Sequence, residues 1–363
     1  MFLKNKLGII TIHSVYNYGA MLQAFALSQY FHSRHIPSEI VDYRPYWLCK
    51  DYQFYYRDLV LRPRSALWHL KQYFLHRGKF SRFDRFLAEK MPLSTTTYHD
   101  FESLKTHDYD VLVTGSDQIW NPLITGWDES YLLTFDQNRS FKIAYSSSFG
   151  MSKIPDDWSS TVKNALSDFE ILGVRESTGK HIIEVLLPDK QVSQVLDPVF
   201  LLGDVYWREL SCPELTPEFD YILVYALEVN DEIIKYAAAL AASEGVKIVS
   251  IHPFVENFDF ADLSLNDAGP REFISLVDNA KFVVTNSFHG TAFSIILDTP
   301  FCCIPHSSTG TRMTSLLSTI GIKSKEIVLE EQGIRFPIFT LTATSKTTLG
   351  NLIYDSKKVL DFD

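Results

Sequence analysis

Phe282–Leu297 reads FVVTNSFHGTAFSIIL: a short apolar strand (Phe282–Val284), a polar turn (Thr285–Gly290) and a helix that opens near Thr291. Val283 and Val284 are β-branched, and Ala292, Phe293, Ile295 and Ile296 recur at helical spacing. A strand that turns sharply into a helix delivers its turn to the carboxyl edge of an α/β sheet. There the helix's free N–H groups make an anion site. This turn carries Asn286, Ser287, His289 and Gly290. Two are small hydrogen-bonding side chains, one titrates near neutrality, and the glycine lets backbone come close. The histidine is either a satisfied loop residue or part of a functional site at this strand end.

The same order recurs at the N-terminus. Residues 8–12 (GIITI) read as a buried strand, His13–Gly19 as a polar turn that includes Asn17 and Tyr18, and AMLQAFALSQYFHSR as a helix. Further strands are expected at Glu39–Tyr43, Tyr109–Thr114, Lys142–Ser146, Ile171–Val174 and Gln194–Leu196, with a helix over Asp156–Phe169. Asp204–Pro217 reads as a linker. Beyond it, strands at Tyr221–Ala226, Lys247–Ile251 and Pro300–Pro305 alternate with helices at Asp231–Glu244, Gly269–Ala280 and 310–321. The alternation predicts an α/β protein of two Rossmann-like domains facing across a cleft, residues 1–203 and 204–340. A terminal helix within 341–363 is expected to pack back on the first domain. No GxGxxG fingerprint occurs, so NAD is not indicated.

The chain has 363 residues, 46% hydrophobic and 21% charged, which suits two globular domains. A formal net charge of −10 argues against general nucleic-acid binding and requires any anion pocket to be locally positive. The four cysteines (Cys49, Cys212, Cys302, Cys303) show no metal-ligand spacing and suit a reducing compartment. No apolar run resembles a signal peptide or approaches the ~20 residues of a membrane helix. The expected location is the cytoplasm, or the inner face of the cell membrane if the chain touches lipid. The feature that would do so is a helical insert at about 57–91. Lys and Arg outnumber acids over residues 57–90, and Leu67, Leu70, Phe74, Phe80, Phe83, Phe86 and Leu87 suggest two amphipathic helices. Such an insert either lies on an anionic membrane or presents a solvated face over a satellite core.

Other strand ends carry candidate ligands. Ser116, Asp117 and Gln118 follow the strand Tyr109–Thr114, as a ligand-binding edge or as helix caps. Arg175 follows Ile171–Val174 and pairs either with a ligand or with a neighbouring acid such as Glu176. Arg312 sits in the first turn of a helix, where the dipole favours acids, which hints at an anionic partner. His13, His252 and His306 also follow apolar strands, but none precedes a glycine-led helix start.

Several of these stretches together resemble the polysaccharide pyruvyl transferase family: GIITIHSVYNYGAMLQAFAL, VLVTGSDQIWNP, VRES, VLDPVFLL, TNSFHGTAFS and GTRMTSLLSTIG, in the family's order over roughly residues 8 to 321. The resemblance implies a GT-B-like fold with the active site between the domains. It implies phosphoenolpyruvate as donor, a glycan or lipid-linked sugar as acceptor, and a cyclic pyruvate ketal plus phosphate as products. It implies no metal and no cofactor. His289 matches the proposed catalytic acid. Arg175 matches the family's RE element and Arg312 a basic position at the start of the late helix; with Ser287, Gly290 and Thr291 at the helix start they are the expected donor-binding residues, and Asn17, Tyr18, Ser116, Asp117 and Gln118 are expected at the acceptor side or cleft from their location at strand ends. Where many members carry Arg two residues before the histidine, this chain has Ser287. The competing readings are a nucleotide-sugar glycosyltransferase on the same architecture and a non-catalytic glycan-binding subunit. The latter predicts a cleft without convergent Arg and His.

Overall fold

A computed structural model describes residues 6–50, 52, 71, 73–74, 76–137, 140–252, 258–304, 311–322, 324–329 and 334–361. Among them the strands form two seven-stranded sheets. The first holds β1 (Leu7–Ile10), β2 (Ser38–Tyr43), β3 (Leu93–Tyr98), β4 (Val111–Thr114), β5 (Phe141–Ser147), β6 (Ile171–Val174) and β7 (Val192–Gln194). Their order is β3-β2-β1-β4-β5-β6-β7, all parallel. The second holds β8 (Tyr221–Tyr225), β9 (Lys247–Ile251), β10 (Leu263–Ser264), β11 (Phe282–Thr285), β12 (Phe301–Cys303), β13 (Ser324–Leu329) and β14 (Ile334–Phe339). Its order is β10-β9-β8-β11-β12-β14-β13, parallel except for the β13–β14 hairpin and its join to β12. The architecture is thus two doubly wound α/β domains.

Among the parallel strands of each sheet the order reverses once, at β1/β4 and at β8/β11. At such a reversal the flanking helices leave on opposite faces and open a crevice at the carboxyl ends of the strands, where α/β proteins bind ligands. The crevice-forming strands are fully buried runs (LGII, VLVT, YILVY), as central parallel strands must be.

Helices connect these strands: α1 (Tyr18–Ser33), α2 (Tyr46–Cys49), α3 (Arg77–Lys90), α4 (Phe101–Leu104), α5 (Pro122–Thr125), α6 (Asp156–Ser167) and α7 (Ser177–Leu186) in the first half. The second half has α8 (Asp204–Leu210), α9 (Asp231–Glu244), α10 (Pro270–Asp278), α11 (Phe288–Leu297), α12 (Thr311–Ile320) and α13 (Ala343–Lys358). The expected linker at Asp204–Pro217 contains α8, whose Trp207 is buried in the core. The strand expected at Gln194–Leu196 lies two residues earlier. Val195 and Leu196 are buried beyond its end, and the Leu196 amide donates to Ser356 Oγ of α13 at 2.9 Å. Strand β3 (LSTTTY) has no counterpart in the sequence reading, because it buries only Ser94 and Tyr98 and lacks apolar alternation.

One hydrophobic cluster runs through both halves, from Ile9 and Phe25 to Phe273 and Val283. Tyr18, expected in the cleft, is instead fully buried in it. Its ring stacks on Phe273 at 5.0 Å and its hydroxyl donates to the Ala268 carbonyl at 3.0 Å, joining α1 to the second half. Of the insert, α3 is described, whereas residues 57–70, Leu67 and Leu70 among them, lie outside the described residues. Helix α3 does not simply cover a satellite core. Buried Lys79 donates to the His252 carbonyl at 2.7 Å, and Arg82 pairs with Glu214 at 3.0 Å and with Glu272 at 3.6 Å.

Candidate active site

The turn after β11 is held by its own polar side chains. Thr285 Oγ1 donates to the Tyr225 carbonyl at 2.6 Å and accepts the Ser287 amide at 3.0 Å. Asn286 fastens the loop after β8, accepting the Leu227 amide at 2.7 Å and donating to the Glu228 carbonyl at 2.6 Å. Ser287 is then the N-cap of α11, its Oγ accepting the Gly290 amide at 3.3 Å. The helix therefore starts at Phe288, three residues before the expected opening near Thr291, and His289 and Gly290 belong to its first turn. A serine cap followed by His-Gly lacks the Glu or Gln that usually marks a capping box, so the start was not legible.

This shift reassigns two expected donor ligands. The Gly290 amide is used by the cap, and a Cβ at Gly290 would overlap Thr285 Oγ1; its hydrogen-only side chain serves close packing of α11 on β11. Thr291 is fully buried, facing Cys303 and Met313 sulfurs at 3.6 and 3.7 Å. The amides left over at the helix start are those of Phe288 and His289.

A cleft of about 770 Å³ opens between the two sheet reversals. Asn17, Asp117 and Gln118 line it from the first half, and Ser287, Phe288, His289 and Arg312 from the second. Asn17 also caps α1, accepting the Gly19 and Ala20 amides at 3.0 and 3.2 Å. Asp117 adopts φ of +77°, a left-handed conformation that costs a non-glycine residue energy and turns the chain sharply at the end of β4.

Behind the cleft wall lies a buried ionic cluster centred on Asp197. Its Oδ2 accepts from Ser116 Oγ at 2.6 Å and Arg175 Nη1 at 3.1 Å, and stands 3.6 Å from His289 Nε2; its Oδ1 accepts the Val199 amide at 3.1 Å. Burial pushes the Asp197 carboxyl up, but His289, Arg175 and Ser116 outweigh it and hold it well below the usual carboxylate range. Ser116 is thus a support for Asp197 and not a cleft residue. Arg175 also departs from expectation. Its guanidinium is buried beneath the Phe288 ring at 4.6 Å, with Glu176 at 3.7 Å and Asp117 at 3.8 Å as further ion partners. Burial opposes its charge, yet the three carboxylates raise its pKa above the ordinary arginine value.

Arg312 is placed differently. It lines both the cleft and a smaller pocket that it shares with Arg175 and Phe288. Its side chain is buried and its Nε has no hydrogen-bond partner. Burial and the like charge of Arg175 lower its pKa to about 10, so this guanidinium is electrostatically under-compensated.

Two of the other candidate histidines are held away from this role. His13 is buried between the Thr11 carbonyl and Asp42, each at 3.1 Å. His252 is buried beside Lys79, and burial followed by that lysine's charge lowers its pKa to about 4. His306 lies outside the described residues. Away from the cleft, Cys212, Glu214 and Glu272 converge, a grouping invisible in the sequence because Glu272 is distant along the chain; Arg82 pairs with both carboxylates.

Two site residues escape sequence reasoning. Asp197 appears only as a strand end, and Gly19 only as a turn glycine. Gly19 lies in α1 against the His289 imidazole, where a Cβ would overlap Nδ1 and Cγ. Gly19→Ala is therefore expected to cost activity by displacing that ring, although alanine is the better helix former by about 1 kcal/mol. Steady-state turnover beside a melting curve checks this: lost activity with little change in melting is the expected result.

A family model described as polysaccharide pyruvyl transferase matches residues 17–308. No curated protein matches the chain. Among solved structures, a UDP-GlcNAc 2-epimerase from Neisseria meningitidis bound to UDP-GlcNAc is 9% identical, with a TM-score of 0.51 over 98% of this chain and 99% of that one. A UDP-N-acetylglucosamine 2-epimerase from Rickettsia bellii is 10% identical, with a TM-score of 0.47 over 98% and 94%. The E. coli ADP-heptose lps heptosyltransferase II is 13% identical, with a TM-score of 0.39 over 97% and 99%. The likeness is one of fold, a GT-B-like pair of Rossmann-like domains.

Proposed function

Because the chain belongs to the polysaccharide pyruvyl transferase family, we propose that it moves the pyruvyl group of phosphoenolpyruvate onto a sugar of a polysaccharide or lipid-linked glycan, with His289 as general acid. The observation that carries this reading is the convergence of His289 and an under-compensated Arg312 on one interdomain cleft. A non-catalytic glycan-binding subunit would have no need of it.

The chemistry requires a proton on C3 of the donor, which makes C2 an oxocarbenium-like electrophile. A sugar hydroxyl then adds to C2 and loses its proton. Phosphate departs with the electron pair of its bond to C2, and a second hydroxyl adds to C2, losing its proton as the ketal ring closes. His289, in the first turn of α11, lines the cleft and is assigned the role of acid. The charge of Arg175 is compensated by Asp197, Glu176 and Asp117, so the cation assigned to the donor is Arg312, aided by the N-terminus of α11. Asn17, Asp117 and Gln118 across the cleft are assigned to the acceptor hydroxyls.

Thermal shift with phosphoenolpyruvate, UDP and GDP, followed by phosphate release on candidate acceptors, tests the reading. Phosphoenolpyruvate is expected to raise the melting temperature where the nucleotides do not. Protection by a nucleotide without protection by phosphoenolpyruvate would instead favour the glycosyltransferase reading. Arg312→Met should weaken the donor shift by roughly a hundredfold in concentration, since charge-assisted hydrogen bonds contribute about 1.5–3 kcal/mol each. It should not destabilise the free protein, because burial and Arg175 already disfavour that charge.

A further inference from the structure

We propose that the first-domain rim of the cleft docks on an anionic lipid surface and so presents a lipid-linked acceptor to His289. The lipid contact stands on its own observations; only the identity of the delivered acceptor rests on the pyruvyl-transfer reading.

The rim carries large apolar side chains that the fold leaves exposed. Leu123 is 69% exposed and Trp47 50%, with Ile124 and Trp127 beside them. They are presented rigidly: Trp47 Nε1 donates to the Ile124 carbonyl at 3.1 Å, and its ring lies over Gly126, where a Cβ would overlap it. Leu48, Tyr52 and Ile124 continue this surface into the cleft wall. A second arm leaves the same wall. Tyr52 meets Tyr16 edge-on at 6.1 Å, Tyr16 stacks on Phe80 at 4.7 Å, and Phe80 stacks on Tyr73 at 5.8 Å. This arm ends in exposed Tyr73 and Phe74. The apolar surface therefore borders the site it would serve.

Charge selects the occupant. Lys50 Nζ lies 3.6 Å over the Trp47 ring, and exposed Lys71 and Arg77 flank Tyr73 and Phe74. Cations beside Trp47 and along the Tyr73–Phe74 arm, in a chain of net charge −10, match the interface of an anionic bilayer, with the acids Asp156 and Asp157 on the Trp127 side of the patch, beside Trp158. A free glycan fits poorly, because Trp47 has one face on Gly126 and the other under Lys50, and Leu123 offers no hydrogen bond. A second copy would set the same cations against themselves across a two-fold axis.

Sedimentation of the full chain with phosphatidylglycerol–phosphatidylcholine vesicles and with pure phosphatidylcholine vesicles tests the proposal. Binding is expected to the anionic vesicles only and to weaken with salt. Leu123→Asp and Lys71→Glu, neither in the cleft, should each lower the vesicle partition coefficient, the former by about tenfold or more. Both should leave the phosphoenolpyruvate thermal shift unchanged. No binding by the wild type, undiminished binding by both variants, or a concentration-dependent dimer abolished by Leu123→Asp would overturn it. Vesicle binding without a phosphoenolpyruvate shift would reject the donor assignment and leave the docking surface standing.

Discussion

His289→Gln is expected to lower phosphate release from phosphoenolpyruvate by about 10²–10⁴-fold, the range that general acid catalysis contributes. The donor thermal shift should persist, because Arg312 and the start of α11 are untouched. The loss should therefore fall on kcat and not on KM, the signature of an interaction made only in the transition state. Glutamine approximates the imidazole in size, and the ring occupies the space that Gly19 leaves open, so the fold should tolerate it. A variant that releases phosphate at the wild-type rate with the correct acceptor would remove His289 from the chemistry. His13→Gln is the matched control. It replaces a buried imidazole held by Thr11 and Asp42, so its effect should be on stability first.

The fold was legible where burial is two-sided. Strands such as VLVT and YILVY are buried at every position and almost wholly apolar, and β11 with its following turn repeats the pattern at β1. It was not legible at the edges, where β3 satisfies its ladder with serine and threonine, or where α8 occupies a proline-flanked stretch that read as linker. For the site, position along the chain identified the cleft residues Asn17, Asp117, Gln118, Ser287 and His289, because each follows a strand at a sheet reversal (β1, β4 or β11), whereas Arg312, after β12, was marked by a cation in a helix's first turn. It could not separate residues that face the cleft from residues that support it. Arg175 and Ser116 also follow parallel strands, yet both turn inward onto Asp197, a convergence set by tertiary packing alone. Gly19 is the same case from the other side: its significance is the imidazole it leaves room for, which belongs to the opposite domain.

Asp197→Ala is expected to destabilise the protein by about 3–5 kcal/mol, because it strips a buried guanidinium of its nearest partner. Glu176 and Asp117 would remain, but at 3.7 and 3.8 Å against 3.1 Å for Asp197. Asp197→Asn should cost less than the alanine variant, since its single amide oxygen can still accept either from Ser116 and Arg175 or from the Val199 amide, though not from both sides. The pH dependence separates charge from shape. The folded carboxyl titrates below its unfolded value near 4, so the unfolded state binds more protons as pH falls. Its contribution is complete above that unfolded value and is lost as pH falls through it toward the folded one. Denaturant titrations from about pH 6 to pH 3 should therefore show a steeper loss in the wild type than in Asp197→Asn. Activity supplies the second readout. With Asp197 Oδ2 only 3.6 Å from His289 Nε2, Asp197→Asn should shift the pH–rate profile even where the protein is fully folded. An Asn variant with wild-type stability at every pH and an unshifted profile would reduce the cluster to packing and leave His289 without its orienting carboxylate.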